Sequence, residues 1–450
     1  MNKYVSIFSL LAITILSGSL AAKQPGFPGE IVALGDDTAT IILNEPSDEV
    51  NKGDWIAIYK IVDGLELEIA RGEASDFVDG TIISEIDSER LEVGLKAIAL
   101  PRAPVHECDE LASIPGDTYA LVAEGVEKEN LDVSAAIEAC KAALEEYPYE
   151  SRFHAQLGRA LELDGKPASA VLAYEQALKL NPFYPIALHR LASIRYYGPE
   201  ELRDYEVARK RFQLASELGH KDAMQIYGSM CRDGQGGDRD FNSAAKWFQA
   251  AAENGFAYAQ NALGECYEFG WGVEQDIGKA LLWYRSSTEL DFTVAMYNLG
   301  RVFDGGIGVV RNDEVAFKWY GKAAAKGNAN ALYSLGLFYK RGRGTEPHFE
   351  NAFESFTLAA QQGHAGAMRE IASIYYNGEG VKRDYDLAAI WYEKAANIGD
   401  ADSQYSLGMM LEKGHGLERS RSQAIRWYRH AAQQGHNSSQ KRLLALKANW

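Results

Sequence analysis

Three things are scarce in this sequence of 450 residues: cysteine, long apolar runs and surplus positive charge. Four cysteines are too few for a disulfide-dense framework in a chain of this length. No run after the N-terminus approaches the roughly 20 apolar residues that span a bilayer, so we expect no integral membrane segment in the mature chain. With 46 Lys+Arg against 63 Asp+Glu, the formal net charge is −17, and this disfavours nucleic acid as a partner.

Motifs that carry chemistry are absent as well. The sequence contains no His-Glu-x2-His, no paired Cys-x2-Cys, no Gly-x-Ser-x-Gly and no phosphate-binding glycine loop. The segment 305–308 is rich in glycine, but it follows a predicted helix rather than a strand. We therefore predict that the protein is not an enzyme and has no catalytic residue, metal ligand or cofactor.

Residues 1–22 have the layout of a cleaved signal peptide. Lys3 precedes an apolar run from Val5 to Leu16, and small residues follow up to Ala22. The alternative is an N-terminal core helix, which the helix-breaking pair Pro25-Gly26 disfavours. We expect the protein to be exported and to be soluble in the periplasm, or secreted.

A glycine ladder with a step of 36 residues runs through the C-terminal half of the chain. Its members are Gly219, Gly255, Asp291 as a stand-in, Gly327, Gly363, Gly399 and Gly435. A second ladder with the same step holds Trp247, Trp283, Trp319, Ser355, Trp391 and Trp427. An aromatic row runs beside it, formed by Phe248, Tyr284, Tyr320, Phe356, Tyr392 and Tyr428.

Each unit of this array is predicted to be an antiparallel helix pair. Ala259, Leu263 and Tyr267 have the spacing of one face of a first helix. A glycine-bearing turn follows, and a second helix comes after it, for example from Tyr385 to Asn397. We expect small residues to let the helices approach closely, and the aromatic rows to fill the space between stacked pairs.

These residues resemble a known family. The string Ala-x3-Leu-Gly-x2-Tyr-x2-Gly-x-Gly-Val, followed by Ala-x2-Trp-Tyr-x2-Ala-Ala-x2-Gly, is similar to the Sel1-like repeat, a subtype of the tetratricopeptide (TPR) helix-pair repeat. The resemblance covers residues 220–435 as six repeats of 36 residues, and 436–450 would add a C-terminal capping helix. The unit 328–363 departs most, because Thr345 replaces the usual Val and Ser355-Phe356 replaces Trp-Tyr. The resemblance implies a mostly α-helical solenoid.

Two further regions precede the Sel1-like repeats. Residues 117–219 are predicted to form TPR-like repeats, since Pro148 and Pro182 lie 34 residues apart and small and bulky residues keep the expected positions between them. Residues 24–105 contain five or six short runs rich in Ile and Val, separated by turn residues. We predict a small all-β domain there, either a barrel or a sandwich.

Negative charge is concentrated in the N-terminal third. Residues 24–150 carry 29 Asp+Glu and 8 Lys+Arg, a net charge of −21, whereas residues 151–450 carry 34 and 36, a net charge of +2. Two interpretations stay open. The acidic surface keeps an exported protein soluble, or it is a docking face for a basic partner or a weak site for divalent cations.

The cysteines and histidines are given structural roles. Cys231 and Cys266 fall on equivalent helices of neighbouring repeats, too far apart for a disulfide, and are predicted to be buried apolar residues. Cys108 with Cys140 is the one pairing we consider. Three of the nine histidines directly follow a ladder glycine and are assigned to turns between repeats: His220, His364 and His436.

The resemblance also implies where a partner would bind. In the TPR fold, side chains at fixed positions of the first helices face a groove, and Tyr and Arg are common at binding hot spots. The predicted protein-binding residues are Asn261, Tyr297, Arg301, Tyr333, Lys340, Arg369, Tyr376 and Tyr405. The alternative is that the tyrosines only cover the edges of the core.

Interaction rather than reaction is the function that this resemblance implies. We expect an exported scaffold or adaptor that binds another cell-envelope protein through its solenoid groove. One alternative is a peptidoglycan- or polysaccharide-binding module whose tyrosines stack on sugar rings. A more remote one is a hydrolase, as suggested for cysteine-rich members of the family, but this sequence lacks a recurring cysteine pair in each repeat.

Overall fold

A computed structural model describes the strand segments 27–34, 38–43, 55–62, 65–78, 81–85 and 96–100, and then residues 105–115, 127 and 131–448. The chain divides into two compact units, Met1–Ala223 (unit 1) and Met224–Trp450 (unit 2). The predicted signal peptide 1–22 and the C-terminal Trp450 lie outside the described residues. Among the helices of the described residues, none is long and apolar enough to cross a membrane.

Unit 1 begins with six strands. They are β1 (Phe27–Leu34), β2 (Thr38–Leu43), β3 (Trp55–Val62), β4 (Leu65–Val78), β5 (Thr81–Glu85) and β6 (Lys96–Leu100). Their backbones pair antiparallel in the order β1-β2-β5-β4-β3-β6, and β6 also pairs with β1. That residues 24–105 form an independent domain stays a prediction.

The other described elements of unit 1 are mainly helices. They are α1 (Glu107–Ala112), α2 (Val133–Glu146), α3 (Ser151–Leu163), α4 (Pro167–Leu180), α5 (Pro185–Tyr197) and α6 (Tyr205–Glu217). Proline at the first position of α4 and α5 suits a helix start, because its missing N–H would have no partner there. A short 3-10 turn, Glu200–Leu202, lies between α5 and α6.

Helix α7 (Lys221–Asp233) contains the boundary between the units, and unit 2 continues as helix pairs. The second helices of the repeats are α8 (Phe241–Glu253), α10 (Ile277–Glu289), α12 (Asp313–Ala325), α14 (Phe349–Gln361), α16 (Tyr385–Asn397) and α18 (Arg421–Gln433). The first helices are α9 (Ala257–Phe269), α11 (Thr293–Gly305), α13 (Ala329–Arg341), α15 (Ala365–Asn377), α17 (Ala401–Lys413) and α19 (Asn437–Ala445). The prediction of a mostly helical solenoid of helix pairs is confirmed.

Each second helix ends just before a residue of the glycine ladder. Gly255 and its equivalents have positive φ, a backbone conformation in which glycine carries no Cβ penalty. Asp291, the stand-in at this position, adopts φ +63° as well. Aspartate tolerates the left-handed region better than most residues with a side chain. The helix ends therefore keep their 36-residue spacing even where glycine is missing.

The buried aromatic row packs against a row of glycines on the first helices. A Cβ placed on Gly264 would lie 2.6 Å from the ring of Tyr284, and Gly300 and Gly408 meet Tyr320 and Tyr428 at the same distance. Only glycine allows so close an approach of ring and helix. At the equivalent position of another repeat Ala372 stands instead, with Tyr392 as its aromatic partner in the same core cluster.

Candidate functional site

The eight predicted binding residues all lie on first helices of unit 2. Asn261 is on α9, Tyr297 and Arg301 are on α11, Tyr333 and Lys340 are on α13, Arg369 and Tyr376 are on α15, and Tyr405 is on α17. They occupy three positions of the 36-residue repeat, which we call phases. The first phase holds Asn261, Tyr297, Tyr333, Arg369 and Tyr405, the second holds Arg301, and the third holds Lys340 and Tyr376. Whether these residues bind a partner stays a prediction.

The three tyrosines of the first phase are half-buried against the second helices. Tyr297 packs on Tyr320 with ring centroids 5.8 Å apart, and Tyr405 packs on Tyr428 at 5.6 Å. Tyr333 is stacked on His364 at 4.5 Å, and burial raises the pKa of its hydroxyl. Each ring therefore covers the edge of the core, which is the structural role weighed in the sequence analysis, and keeps part of its surface exposed.

The predicted cations pair with carboxylates on neighbouring repeats. The Arg301 guanidinium donates to Glu268 at 2.5 Å, and Lys340 Nζ donates to Glu370 at 3.1 Å. Lys340 Nζ is also 2.8 Å from Glu379 Oε2.

Arg369 also links two repeats. Its Nη1 donates to Asp400 Oδ2 at 2.6 Å and to Asp402 Oδ2 at 2.9 Å. His436 Nε2 lies 3.2 Å from the other oxygen of Asp402, so the chain of contacts extends to α19. These charges hold adjacent first helices together.

The two remaining residues are also engaged. Asn261 is 4% exposed, donates to Glu265 and accepts from Asn298 Nδ2 at 3.0 Å. The Tyr376 hydroxyl lies 3.1 Å from Nδ1 of His415, and the Tyr376 ring packs on Tyr385. Sequence spacing identified the face of these residues, but it did not reveal that their polar ends meet other repeats.

A triad that the sequence analysis missed recurs across unit 2. In each copy, a row tyrosine donates its hydroxyl to a carboxylate on the first helix of the same repeat, and an arginine further along the chain pairs with that carboxylate. The copies are Tyr284–Glu268–Arg301, Tyr320–Asp304–Arg343 and Tyr428–Glu412–Arg442. The Arg442 guanidinium lowers the pKa of Glu412, while burial raises the pKa of Tyr284.

In the two repeats whose aromatic-row residue is phenylalanine, the position of the triad carboxylate holds a basic residue. Phe248 faces Arg232, whose guanidinium carbon is 5.8 Å from the ring centroid, and in the repeat of Phe356 the equivalent position holds Lys340. Phenylalanine has no hydroxyl to donate, so a buried carboxylate there would lose one of its partners. The correlation between the two positions is visible in the sequence and could have revealed the triad.

In four repeats of unit 2, two residues 30 positions apart join the turn between two glycines to the preceding second helix. We call them turn pairs. They are Trp271 stacked on Phe241 at 5.6 Å, Ile307 with Ile277 in one cluster, Arg343 bonded to Asp313 at 2.7 Å, and His415 stacked on Tyr385 at 4.5 Å. These four interfaces thus differ in chemistry, whereas at the equivalent positions Phe349 and Glu379 the Glu379 carboxylate pairs with Lys340 instead. The guanidinium groups of Arg343 and Arg311 lower the pKa of Asp313.

A buried polar cluster lies in the described part of unit 1. Asp109 on α1 is fully buried and accepts from Arg152 Nε and from Gln156 Nε2, both at 3.0 Å. Cys108, next to Asp109, forms a disulfide with Cys140 on α2. The pairing considered from the sequence is therefore present, and Cys231 and Cys266 lie outside any disulfide of the described residues and are buried, as predicted.

The histidines that follow ladder glycines start helices. Nδ1 of His364 accepts from the backbone N–H of Ala367, and Nδ1 of His436 accepts from that of Ser439. His220 makes the same kind of contact with Ala223. Within the described ranges, no group of three or more His, Cys, Asp or Glu is placed to hold a metal ion.

Comparisons with known proteins agree with this architecture. The Sel1 repeat model matches residues 185–220, 221–256, 257–292, 293–328, 329–364, 365–400 and 401–436. The first of these repeats lies in the part that the sequence analysis assigned to TPR-like repeats. No curated protein sequence matches the chain.

Several solved structures are similar to this chain. The protective antigen c5321 of uropathogenic Escherichia coli, which displays an SLR fold, is 29% identical, with 69% of this chain and 67% of that one covered and a TM-score of 0.57. A Sel1 repeat protein from Oxalobacter formigenes is 30% identical over 51% of this chain and 94% of that one, with a TM-score of 0.48. The cysteine-rich protein B of Helicobacter pylori is 24% identical over 28% of this chain and 89% of that one, with a TM-score of 0.24.

Proposed function

Because this chain belongs to the Sel1 repeat family, we propose that it is an exported scaffold that binds another cell-envelope protein through the first helices of unit 2. The observation that carries the proposal is the regular row of half-buried Tyr and Arg side chains on these helices. Such side chains combine apolar area with polar reach, and both are enriched where proteins bind proteins. The first helices present them at a constant 36-residue step.

Export is supported by two independent features. Residues 1–22 have the sequence of a signal peptide, and Cys108 and Cys140 form a disulfide in unit 1. Disulfides persist in oxidising compartments and are rare in the cytosol. The periplasm, or secretion, is therefore the location that we propose.

The N-terminal strands are proposed as a second contact. Their pairing order, with β6 also on β1, fits a small β barrel formed by residues 24–105. The net charge of −21 over residues 24–150 suits either a solvated surface or a basic partner. We propose a supporting role for this region, with the main recognition in unit 2.

A protein partner is favoured over a glycan by the state of the tyrosine rings. A sugar ring stacks on an open aromatic face, but Tyr333 is already stacked on His364, and Tyr405 packs on both Tyr428 and His436. What these residues leave accessible is a surface of ring edges and paired charges. That surface suits the mixed polar and apolar contacts of a protein interface.

Affinity capture tests the proposal. The full chain and two variants are expressed with an affinity tag in the native host, the envelope is crosslinked, and the captured proteins are quantified. Ser373→Arg places a bulky charge in the middle of the first-helix face, whereas Gln361→Arg places the same charge on the exposed side of α14. Circular dichroism checks that both variants keep their helix content.

We expect one dominant envelope protein to be captured by the parent chain and by Gln361→Arg, and to fall at least tenfold with Ser373→Arg. Equal capture by both variants would place recognition outside the first helices. Capture of glycan without protein by the parent chain would support the polysaccharide alternative instead.

A further inference from the structure

A basic surface lies on helices α18 and α19 of unit 2. Residues 419–450 carry seven Lys+Arg and no Asp or Glu, whereas the preceding stretch of equal length, 387–418, carries two and five. Arg421 and Arg426 on α18 and Lys441 on α19 are exposed. Positive charge is therefore concentrated on these helices, although the net charge of the chain is −17.

Much of this positive charge is not neutralised within unit 2. Arg442 pairs with Glu412, and Arg421 donates to a backbone oxygen. Among the described residues, no carboxylate pairs with Arg421, Arg426 or Lys441. Their charges face solvent, where they attract a negatively charged surface.

An exposed leucine lies within the basic surface. Leu444 is 68% exposed and follows Lys441 by one helical turn, so both side chains lie on one face of α19. In the preceding repeat the same position holds Gly408, where a Cβ would lie 2.6 Å from the Tyr428 ring. A leucine does not allow a ring to pack so closely. The side chain of Leu444 is therefore open to another molecule.

Helices α1 and α2 of unit 1 carry the opposite charge. Their exposed charged residues are one lysine, Lys141, and five glutamates, namely Glu107, Glu110, Glu138, Glu145 and Glu146. No cation of the described residues pairs with Glu138 or Glu145. Ala142 is exposed between these two glutamates, so one face of α2 presents a methyl group flanked by carboxylates. We call this the acidic surface.

The basic and acidic surfaces are complementary. Lys441 and Leu444 lie one turn apart on α19, and Glu138 and Ala142 lie one turn apart on α2. The charges are opposite, and the small Ala142 leaves room for the larger Leu444. Unpaired charges of opposite sign steer two surfaces together and fix which ones meet. The acidic third of the chain thereby has a basic counterpart within the same sequence.

We propose that copies of this chain associate head to tail, with the basic surface on α18 and α19 of one copy against the acidic surface on α1 and α2 of a second copy. In that contact Leu444 packs on Ala142, and Lys441 pairs with Glu138. Because the two surfaces differ, a pair of copies leaves one surface of each kind for further copies. This association goes beyond the proposed function, since it requires no envelope protein.

Sedimentation velocity of the purified full chain tests the proposal. At about 0.1 M salt, charges interact over about 10 Å, so local pairs outweigh the long-range repulsion between copies that each carry a net charge of −17. We expect the mean sedimentation coefficient to rise with protein concentration at this salt. It should fall to the monomer value at about 1 M salt, where charges interact over about 3 Å. A monomer at every protein concentration and at both salt concentrations overturns the proposal.

Charge reversal identifies the two surfaces. Glu138→Lys with Glu145→Lys should weaken association at least tenfold, and so should Arg426→Glu with Lys441→Glu, because like charges then face each other. A variant with all four substitutions has opposite charges again and the same net charge as the parent chain. Its association should therefore return. Circular dichroism checks that each variant keeps its helix content.

Lys318→Glu with Arg285→Glu is the matched control. Both residues are exposed on second helices, at the repeat positions of Arg426 and Arg429, and the change in charge equals that of Arg426→Glu with Lys441→Glu. The control should associate as the parent chain does.

Three further results would overturn the proposal. One is undiminished association of both reversed variants, and another is a folded four-residue variant that stays monomeric although each reversed pair abolished association. The third is a parent chain that is monomeric in solution but sediments with phosphatidylglycerol vesicles, which would assign the basic surface to an anionic lipid instead.

Discussion

The helices of unit 1 and those of unit 2 are held together differently. In unit 1, the disulfide from Cys108 to Cys140 and the buried ion pair of Asp109 with Arg152 meet on the short helix α1. In unit 2, the described residues are held by ties that recur from repeat to repeat, namely the row of glycines under aromatic rings, the triads and the turn pairs. Unit 1 also carries one copy of the repeating ties, because Gly158 lies under the Tyr174 ring and the Tyr174 hydroxyl donates to Glu162. Unit 1 adds concentrated contacts to this copy, whereas unit 2 repeats the distributed ones.

This difference predicts how strongly a substitution in each unit lowers stability. A helix of six residues is too short to be stable alone, so α1 depends on its covalent and ionic ties. A repeat of unit 2 loses only one of several ties when a single residue changes. We therefore expect the largest single effect in unit 1, and the following predictions run from that effect downward.

Asp109→Ala should be the most damaging change. It leaves the guanidinium of Arg152 buried without its main partner, and breaking a buried pair costs about 3–5 kcal/mol in the free energy of unfolding. The matched change in unit 2 is Asp402→Ala, which removes an exposed partner of Arg369 and should cost less than about 1 kcal/mol. Urea titration read by hydrogen-exchange mass spectrometry assigns each loss to its unit. Equal losses would contradict the contrast between concentrated and distributed ties.

Gly272→Ala should have the next largest effect. Gly272 has φ +70°, and an added Cβ would lie 2.0 Å from the backbone oxygen of Phe241, so we expect a loss of about 3 kcal/mol. Gly255→Ala is the control, because φ is +85° there but nothing lies within 4 Å, and only about 1 kcal/mol should be lost. Thermal unfolding followed by circular dichroism measures both. Similar losses would show that backbone conformation alone, and not contact between repeats, requires glycine at Gly272.

Glu268→Gln should weaken one triad by about 2 kcal/mol, because an amide cannot replace the charge that Arg301 requires. Glu253→Gln changes an exposed carboxylate on α8 and should stay within about 0.5 kcal/mol of the parent. Urea unfolding curves followed by tryptophan fluorescence give both values. If the two variants are equally stable, the triads contribute little and the glycine and aromatic rows hold the repeats by packing alone.

Acid should destabilise unit 1 through His189, with a small loss in the free energy of unfolding for each pH unit. His189 is stacked on His220 at 4.2 Å, with Phe212 at its edge and Arg190 beside it, and burial lowers its pKa from 6.5 to about 3. Between these two values the unfolded chain binds more protons than the folded one, so the free energy of unfolding falls as the pH drops. The slope should be at most about 1.4 kcal/mol per pH unit.

Replacing this histidine isolates its contribution. His189→Gln should flatten the loss of stability between pH 6.5 and pH 5 in equilibrium unfolding, while His348→Gln, a substitution at the exposed residue that starts α14, should leave the profile as in the parent chain. The Asp222 carboxylate raises the pKa of His220, the ring stacked on His189, but burial lowers that pKa by more. A proton on the stacked pair is therefore compensated only in part. An unchanged profile for His189→Gln would assign the acid sensitivity to other groups.

Much of the fold could be predicted from the period of the sequence. The second helix predicted from Tyr385 to Asn397 has those bounds in the structure, because the ladder glycine and the aspartate before the helix mark its ends. A repeat period fixes which residues share a helix face, since 3.6 residues make one turn. It therefore predicts helix pairs, buried rows and turn glycines.

The contacts of the site could not be predicted in the same way. The repeat positions predict Arg301, Lys340 and Arg369 as protein-binding residues, whereas in the structure their charged ends reach carboxylates about 30 residues away. Which long side chain reaches which neighbour depends on the distance between stacked helices, and the period says nothing about that distance. The pairing of Cys108 with Cys140 was left open for the same reason, because α1 lies outside the repeat pattern.

The turn pairs have a consequence for how such an array can evolve. Tandem repeats gain and lose copies when similar stretches of the gene recombine out of step. Removing the repeat 293–328 would bring Arg343 against Ile277 instead of Asp313, leaving a charge beside an aliphatic side chain. Because Ile277 cannot accept the hydrogen bonds that Asp313 accepts, this unequal exchange would produce a mismatched seam. The turn pairs thereby distinguish repeats that share one motif, and a search for that motif would overlook the distinction.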